Sequence, residues 1–337
     1  MHAIRQHAFG PAENLRYEEV EDLRYEEVED PRPGPGEVRV AVSAAGVHVV
    51  DTTIRRGDSG GPFAPPELPM TPGREVAGVV DELGAGADGD WLGRRVVVHL
   101  GQANGGYAER AVARAESLHA LPDGVDEAAA VAMIGTGRTA IGILHVAQLT
   151  ADDVVLVPAA AGGIGNLLVQ EARNLGATVV GLAGGAEKVA RVGELGATFS
   201  ADYIDHDWPE RVREWLGGRE VTAVLDGVGG RAGRAGFDLL GAGGRIIMFG
   251  WAPGQEPVEI STTDLFSRGL TASVALGPRL WQRRPGGLRG LEEESLAALG
   301  GGRLTPLVNE PFALAEAAAA HTALESRRTT GKVVLKP

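Results

Sequence analysis

Residues 154–165 read VVLVPAAAGGIG, and their chemistry is that of a phosphate-binding turn. Val154-Val155-Leu156-Val157 is a short, wholly apolar run, as a strand buried on both faces of a parallel sheet requires. It leads into Ala160-Ala161-Gly162-Gly163-Ile164-Gly165, the spacing GxGxxG with alanine in the first slot, and then into a helical stretch from Asn166. In such a turn Gly162 lets the backbone approach a pyrophosphate and Gly165 lets helix and strand pack closely. The N–H groups from Ala161 to Gly165 would then hold the phosphates. The strand–turn–helix context gives the motif its weight. The next strand, Thr178–Leu182, runs into Ala183-Gly184-Gly185 without the acid that would bind a ribose diol. A carboxylate there would repel a 2′-phosphate, so its absence admits NADPH. Lys188 follows and is placed to pair with that phosphate, with Glu187 beside it working against the pair.

The elements that must position this turn alternate. Asp126–Met133 and Thr139–Leu149 read as helices, followed by strands at Val154–Val157, Thr178–Leu182, Val221–Leu225 and Arg245–Phe249, with a helix at Lys188–Leu195. That alternation predicts a doubly wound parallel sheet. The first third is different. Glu37–Ser43 alternates polar and apolar, and Val76–Leu83, Arg95–Leu100 and Tyr107–Val112 are further β-rich runs between turns, a partly open barrel. The tail ends in the Ala-rich helix Leu314–Ser326 and a closing strand Gly331–Leu335. The expected organisation is a β-rich unit from residues 1–125 and 268–337 and a nucleotide-binding unit from 126–267.

Composition bounds the rest. With 337 residues, 45 acidic and 32 basic, the formal net charge is −13, which disfavours nucleic acid and anionic membrane. No apolar run approaches the roughly 18 residues of a membrane span, and the acidic N-terminus is unlike a signal peptide, so a cytoplasmic location is expected. Cysteine is absent, which removes disulfides, thiol catalysis and every zinc site that needs Cys. Leu15–Asp22 and Leu23–Asp30 both read LRYEEVED. Because strand side chains alternate with period two, an insertion of eight keeps the buried face buried, and either copy could fill one strand.

Six segments in order resemble the zinc-free quinone reductase branch of the medium-chain dehydrogenase/reductase superfamily. They are Ala44-Ala45-Gly46-Val47-His48-Val49-Val50-Asp51, residues 73–80 (GREVAGVV), Gly105-Gly106-Tyr107-Ala108-Glu109, the turn at 159–165, Leu225-Asp226-Gly227-Val228-Gly229-Gly230, and Thr330-Gly331-Lys332-Val333-Val334-Leu335. The resemblance covers nearly the whole chain. It implies a GroES-like β domain with a Rossmann domain inserted in it. In the zinc-dependent cousins a GHE motif supplies a metal ligand; here it reads Gly73-Arg74-Glu75, and the Cys slot holds His48. One histidine does not make a three- or four-ligand site, so no metal is expected.

The resemblance also implies site residues. Thr139 matches a threonine near the nicotinamide amide, and Lys188 with Tyr203 matches a pair that holds the 2′-phosphate. Gly227 lies where the adenosine ribose would sit, Phe249-Gly250 forms the turn that meets the carboxamide, and Lys332 borders the cofactor cleft. His48 replaces the usual asparagine and Thr53 a common aromatic residue, and no tyrosine follows Arg55-Arg56-Gly57 as in enoyl reductases. The expected chemistry is hydride transfer from NADPH to a small quinone or enone. His48, oriented by Asp51 or water, would donate a proton to the acceptor oxygen. The competing readings are an enoyl-thioester reductase, for which Arg279, Arg283, Arg284 and Arg289 would form a basic patch, and a non-catalytic NADPH-binding protein. A homodimer is expected, with Val258–Asp264 and Leu270–Leu276 as candidate edge strands.

Overall fold

A computed structural model describes residues 1–10, 23–57, 66–252, 254–275 and 286–337. The chain divides into two units, residues 1–135 with 308–337 and residues 136–307. The second unit therefore runs past the expected limit of 267. Three contacts hold the extra segment there. Thr271–Val274 adds a strand to its sheet, and the helix Gly287–Gly300 packs on the helix Arg138–Ala147. Gln170 Nε2 donates to the Thr305 carbonyl at 2.8 Å, and the Thr305 N–H donates back to Gln170 Oε1 at 3.0 Å.

The first unit is built on β3 (Glu37–Val47), whose alternating Val38, Val40 and Val42 are buried. It pairs with β4 (Glu75–Leu83), β6 (Arg110–Arg114) and β15 (Val333–Lys336), all antiparallel. β4 continues to β5 (Arg95–His99) and that to β7 (His119–Ala120), while β14 (Phe312–Ala313) flanks β15, so the sheet runs β14-β15-β3-β4-β5-β7. A separate hairpin-like pair joins β1 (His2–Gln6) to β2 (Leu23–Glu27) with His2 opposite Glu27 and Gln6 opposite Leu23. β2 is thus the second LRYEEVED copy; the first copy lies outside the described residues. Deleting residues 15–22 leaves one copy in the same register. The expected result is an unchanged melting temperature and unchanged turnover, and loss of folded protein would assign a structural role to both copies.

In the second unit six strands are parallel: β8 (Val154–Val157), β9 (Thr178–Ala183), β10 (Phe199–Asp202), β11 (Val221–Asp226), β12 (Leu240–Met248) and β13 (Thr271–Val274). Their order, β10-β9-β8-β11-β12-β13, reverses between β8 and β11, the switch point at which such sheets bind nucleotides. Leu156, Val180, Leu182, Val224 and Ile246 fill its core with Phe237 and Trp208. Val258–Asp264 is not the edge strand expected from its apolar residues. Ser261 caps the helix Thr262–Arg268 instead: its Oγ accepts the Asp264 N–H at 3.1 Å, and Asp264 Oδ2 accepts the Ser261 N–H at 2.8 Å.

Glu127–Ala147 is one continuous helix of 21 residues, long and apolar enough by length and composition to cross a membrane, and 67% of its apolar window is buried inside the protein. It is a core helix. Arg138 and the two glycines at 135 and 137 broke its apolar pattern in the sequence. Between Ala132 and Gly137 it widens into a π-turn, a distortion that recurs at functional sites.

Candidate active site

The strand register brings four ionisable side chains to one end of the first unit's sheet. Glu75 opens β4 directly opposite His99, the last residue of β5. Val333 opens β15 opposite Val47, the last residue of β3, so Lys332 and His48 follow at the same end. His48 Nε2 lies 2.7 Å from Glu75 Oε1, and Lys332 Nζ lies 2.7 Å from Glu75 Oε2. Lys332 Nζ is also 3.0 Å from His48 Nε2. Two glycines make room for the carboxylate. A Cβ on Gly135, in the π-turn, would sit 1.7 Å from Glu75 Oε1, and one on Gly46 would sit 2.2 Å from Oε2.

Glu75 is wholly inaccessible and Lys332 is 4% exposed, whereas His48 is 22% exposed and His99 is half-buried, so the two imidazoles rather than the carboxylate or the ammonium reach outward. Burial alone would raise the Glu75 carboxyl; the charges of His48 and Lys332 outweigh it and hold the acid well below the usual carboxylate range. Among the described residues, ligand atoms of His48, Glu75 and His99 lie within 4.8 Å of one another, the spacing of a three-ligand metal site. The donor set does not fit a metal. The Lys332 ammonium already stands against Glu75 and His48 as the local cation. His99 Nδ1 accepts the Gly101 N–H at 3.0 Å, which puts the ring proton on Nε2. A ligating histidine has the opposite polarity, donating from its outer nitrogen.

Asp51 serves a different part of His48 than expected. Its Oδ2 accepts the His48 backbone N–H at 2.8 Å, capping the helix Val49–Arg56, and Glu75 rather than Asp51 meets the ring. Behind Asp51 runs a buried chain. The Tyr107 hydroxyl donates to Asp51 Oδ2 at 3.1 Å, and His321 Nε2 lies 3.1 Å from that hydroxyl. Arg55 Nη1 donates to His321 Nδ1 at 3.0 Å and Nη2 to Glu325 at 2.9 Å. Since arginine only donates, His321 Nδ1 is the acceptor and Nε2 carries the proton, so the bonds from Arg55 through His321 and Tyr107 all point toward Asp51. Burial first and the Arg55 charge second lower His321 to about 3, so the ring is neutral. Burial and the Asp51 charge raise Tyr107, which keeps its proton. Thr53 sits one turn into the capped helix, its Oγ1 3.4 Å from the Val49 carbonyl.

The expected nucleotide-binding residues of the second unit collect at the carboxyl ends of its strands. The turn after β8 is tight: Gly162 donates to the Ala159 carbonyl at 2.8 Å, and Ala159 takes a left-handed φ of 52°. A Cβ on Gly165 would lie 2.3 Å from that carbonyl, so the last glycine of the motif is sterically required. Ala161, Gly163 and Ile164 complete the turn before the helix Gly165–Asn174. Gly184 follows β9 and Tyr203 follows β10, and a Cβ on Gly184 would lie 3.6 Å from the Tyr203 hydroxyl. Lys188 stands half-buried in the helix Ala186–Glu194. Asp202, which the sequence reading passed over, accepts the Gly185 and Ile204 N–H groups at 2.8 and 2.9 Å and so fixes this loop. Gly227 follows β11 and has no room for a Cβ, which would meet the Phe249 ring at 2.2 Å; Phe249-Gly250 follows β12. Thr139 is in the first turn of Arg138–Ala147. Lys332 alone of the expected cofactor residues lies in the first unit, on Glu75 and His48.

In the first unit two residues were not among the expected site residues, Glu75 and His99, and Lys332, expected at the border of the cofactor cleft, is in addition a partner of His48. A carboxylate heading the apolar run EVAGVV was the available signal, since a buried charge demands a cation. Of the suggested basic patch, Arg279, Arg283 and Arg284 fall outside the described residues, and Arg289 pairs with Glu293 at 3.1 Å.

A β unit of this topology joined to a doubly wound nucleotide unit defines a medium-chain dehydrogenase/reductase architecture. Residues 34–123 match the family described as alcohol dehydrogenase GroES-like domain, and residues 163–289 the one described as zinc-binding dehydrogenase. A 2-haloacrylate reductase from Burkholderia is 35% identical over 98% of this chain and 97% of its own. A quinone oxidoreductase from Pseudomonas aeruginosa is 34% identical over 98% of each. The solved Escherichia coli quinone oxidoreductase in complex with NADPH superposes with a TM-score of 0.85 at 29% identity over 100% of both chains. The chain belongs to the quinone oxidoreductase branch of the medium-chain dehydrogenase/reductase superfamily and is an oxidoreductase.

Proposed function

We propose that this protein is an NADPH-dependent reductase that delivers a hydride to a quinone or an α,β-unsaturated carbonyl compound without a metal ion. The observation that carries the reading is the set of residues at the carboxyl edge of the second unit's sheet: the 161–165 turn, Gly184, Tyr203, Gly227 and Phe249 after successive strands. When bound, the reduced nicotinamide supplies the hydride. The turn N–H groups hold the pyrophosphate. Lys188 and Tyr203 hold the 2′-phosphate, and no acid ends β9 to oppose it. In the first unit His48 donates a hydrogen bond, then a proton, to the acceptor oxygen as charge develops there. Asp51 fixes the His48 backbone and Glu75 fixes the ring. The relatives named as quinone oxidoreductase and 2-haloacrylate reductase support an electron-poor, conjugated acceptor. A cytoplasmic homodimer, joined along β13 at the open end of the parallel sheet, is the assembly that goes with this reading.

Cofactor titration tests it. NADPH is expected to bind more tightly than NADH, and Lys188→Ala is expected to weaken NADPH about tenfold, near 1.4 kcal/mol, with NADH unaffected. Equal affinity of the native protein for the two nucleotides would contradict the assignment of Lys188 and Tyr203.

A further inference from the structure

We propose that Lys332 is the proton reserve behind His48: the ammonium re-protonates His48 Nε2 as His48 Nδ1 gives its proton to the acceptor. The inference rests on the reductase reading above and assigns the source of the proton that reading requires.

The geometry carries it. His48 Nε2 faces two partners at hydrogen-bond distance, Glu75 Oε1 at 2.7 Å and Lys332 Nζ at 3.0 Å. A ring nitrogen has one in-plane position, which holds either a proton or a lone pair. With a lone pair, Nε2 accepts from the ammonium, and the ring proton is on Nδ1. With a proton, Nε2 donates to Glu75. Both states are therefore built into one arrangement, and moving a proton from Nζ to Nε2 exchanges one for the other. Nδ1 is not spent on the helix cap, because the Asp51 N–H goes to the His48 carbonyl at 3.0 Å. Lys332 is too buried to serve the acceptor itself, while the imidazole in front of it is partly exposed. Glu75 pairs with the Lys332 ammonium in the first state and faces the His48 Nε2 proton in the second.

The step balances. The acceptor gains two electrons with the hydride at carbon, and the nicotinamide is oxidised. The His48 Nδ1–H bond breaks as the acceptor O–H forms. A Lys332 Nζ–H bond breaks as the Nε2–H forms, leaving a neutral amine that regains its proton from water through the same ring after product leaves. Lys332 acts through His48 and is a positioning residue rather than a catalytic one.

Lys332→Arg separates a proton reserve from a mere counter-ion, because guanidinium keeps the charge beside Glu75 but does not release a proton. The expected result is a kcat lowered 10- to 100-fold with KM for the acceptor unchanged. The kcat–pH profile, shaped in the native enzyme by His48, Glu75, His99 and Lys332, is expected to lose its alkaline limb. Wild-type kcat in Lys332→Arg would overturn the inference. Without cofactor, ¹⁵N NMR of the His48 ring is expected to show the proton on Nδ1 and the lone pair on Nε2 facing Lys332, and a ring protonated on Nε2 alone would overturn the inference. Should Lys332→Arg fold poorly, single-turnover NADPH oxidation by the native enzyme in H₂O/D₂O mixtures is the kinetic test. Two protons in flight give a bowed dependence of rate on deuterium fraction, and a linear one would overturn the inference. If the native protein oxidises NADPH with none of the quinone or conjugated carbonyl acceptors, the reductase reading has failed, and this one with it.

Discussion

Glu75→Gln is expected to destabilise the protein by about 3–5 kcal/mol, because it leaves the Lys332 ammonium buried without its counter-charge. Lys332 is 4% exposed and lies 2.7 Å from the carboxylate, so no water shell replaces the lost partner. Glutamine keeps the shape between Gly46 and Gly135, so the loss reports charge rather than a cavity. Lys332→Met in the same chain removes the stranded charge, and the double variant should recover much of the loss. Urea midpoints of the native protein, both single variants and the double variant measure this directly. Additive losses in the double variant would show that the two groups do not act as a pair.

Acid should weaken the first unit through His321. In the folded protein burial and Arg55 lower this histidine to about 3, against an ordinary value of 6.5. Above pH 6.5 the ring is neutral folded or unfolded, and its bonds to Arg55 and Tyr107 contribute fully. As pH falls from 6.5 toward 3 the unfolded chain takes up a proton that the folded chain refuses, so stability falls through that window and levels off below it. At about 1.4 kcal/mol per pH unit the loss approaches 4–5 kcal/mol. His321→Gln can accept from Arg55 and donate to Tyr107 without titrating. Its urea midpoint should be flat from pH 6.5 to 4.5 where the native midpoint declines, and parallel declines in both proteins would count against the neutral buried ring.

Much of the second unit was legible in the sequence. The apolar run Val154–Val157 and the glycine spacing after it specify a strand, a turn and a helix by local rules alone, and the sheet order follows from the alternation of such units. The extension to residue 307 was not legible, because Gln170–Thr305 and the packing of Gly287–Gly300 join residues more than a hundred positions apart. The same holds for the first unit's site. His48 was found from its slot in a recognisable segment. Glu75, His99 and Lys332 reach it through the register of four strands, which no local pattern reveals. Asp51 was expected beside the His48 ring, three residues away in sequence. A capped helix start directs such a carboxylate at the backbone N–H instead, and the ring turned to the neighbouring strands. Val258–Asp264 misled because β-branched Val258, Ile260, Thr262 and Thr263 favour a strand, whereas Ser261 and Asp264 form a capping box that starts a helix.

Oxidation of NADPH followed at 340 nm, with NADH in parallel, tests the central claim most directly. The acceptors are 1,4-benzoquinone, a 9,10-quinone, an α,β-unsaturated ketone, 2-chloroacrylate and crotonyl-CoA. The account predicts turnover of the quinones, the unsaturated ketone or 2-chloroacrylate with NADPH preferred, undiminished after exhaustive treatment with a chelator. Turnover of crotonyl-CoA alone, activity that disappears with the chelator and returns with zinc, or tight NADPH binding without oxidation by any acceptor would contradict it.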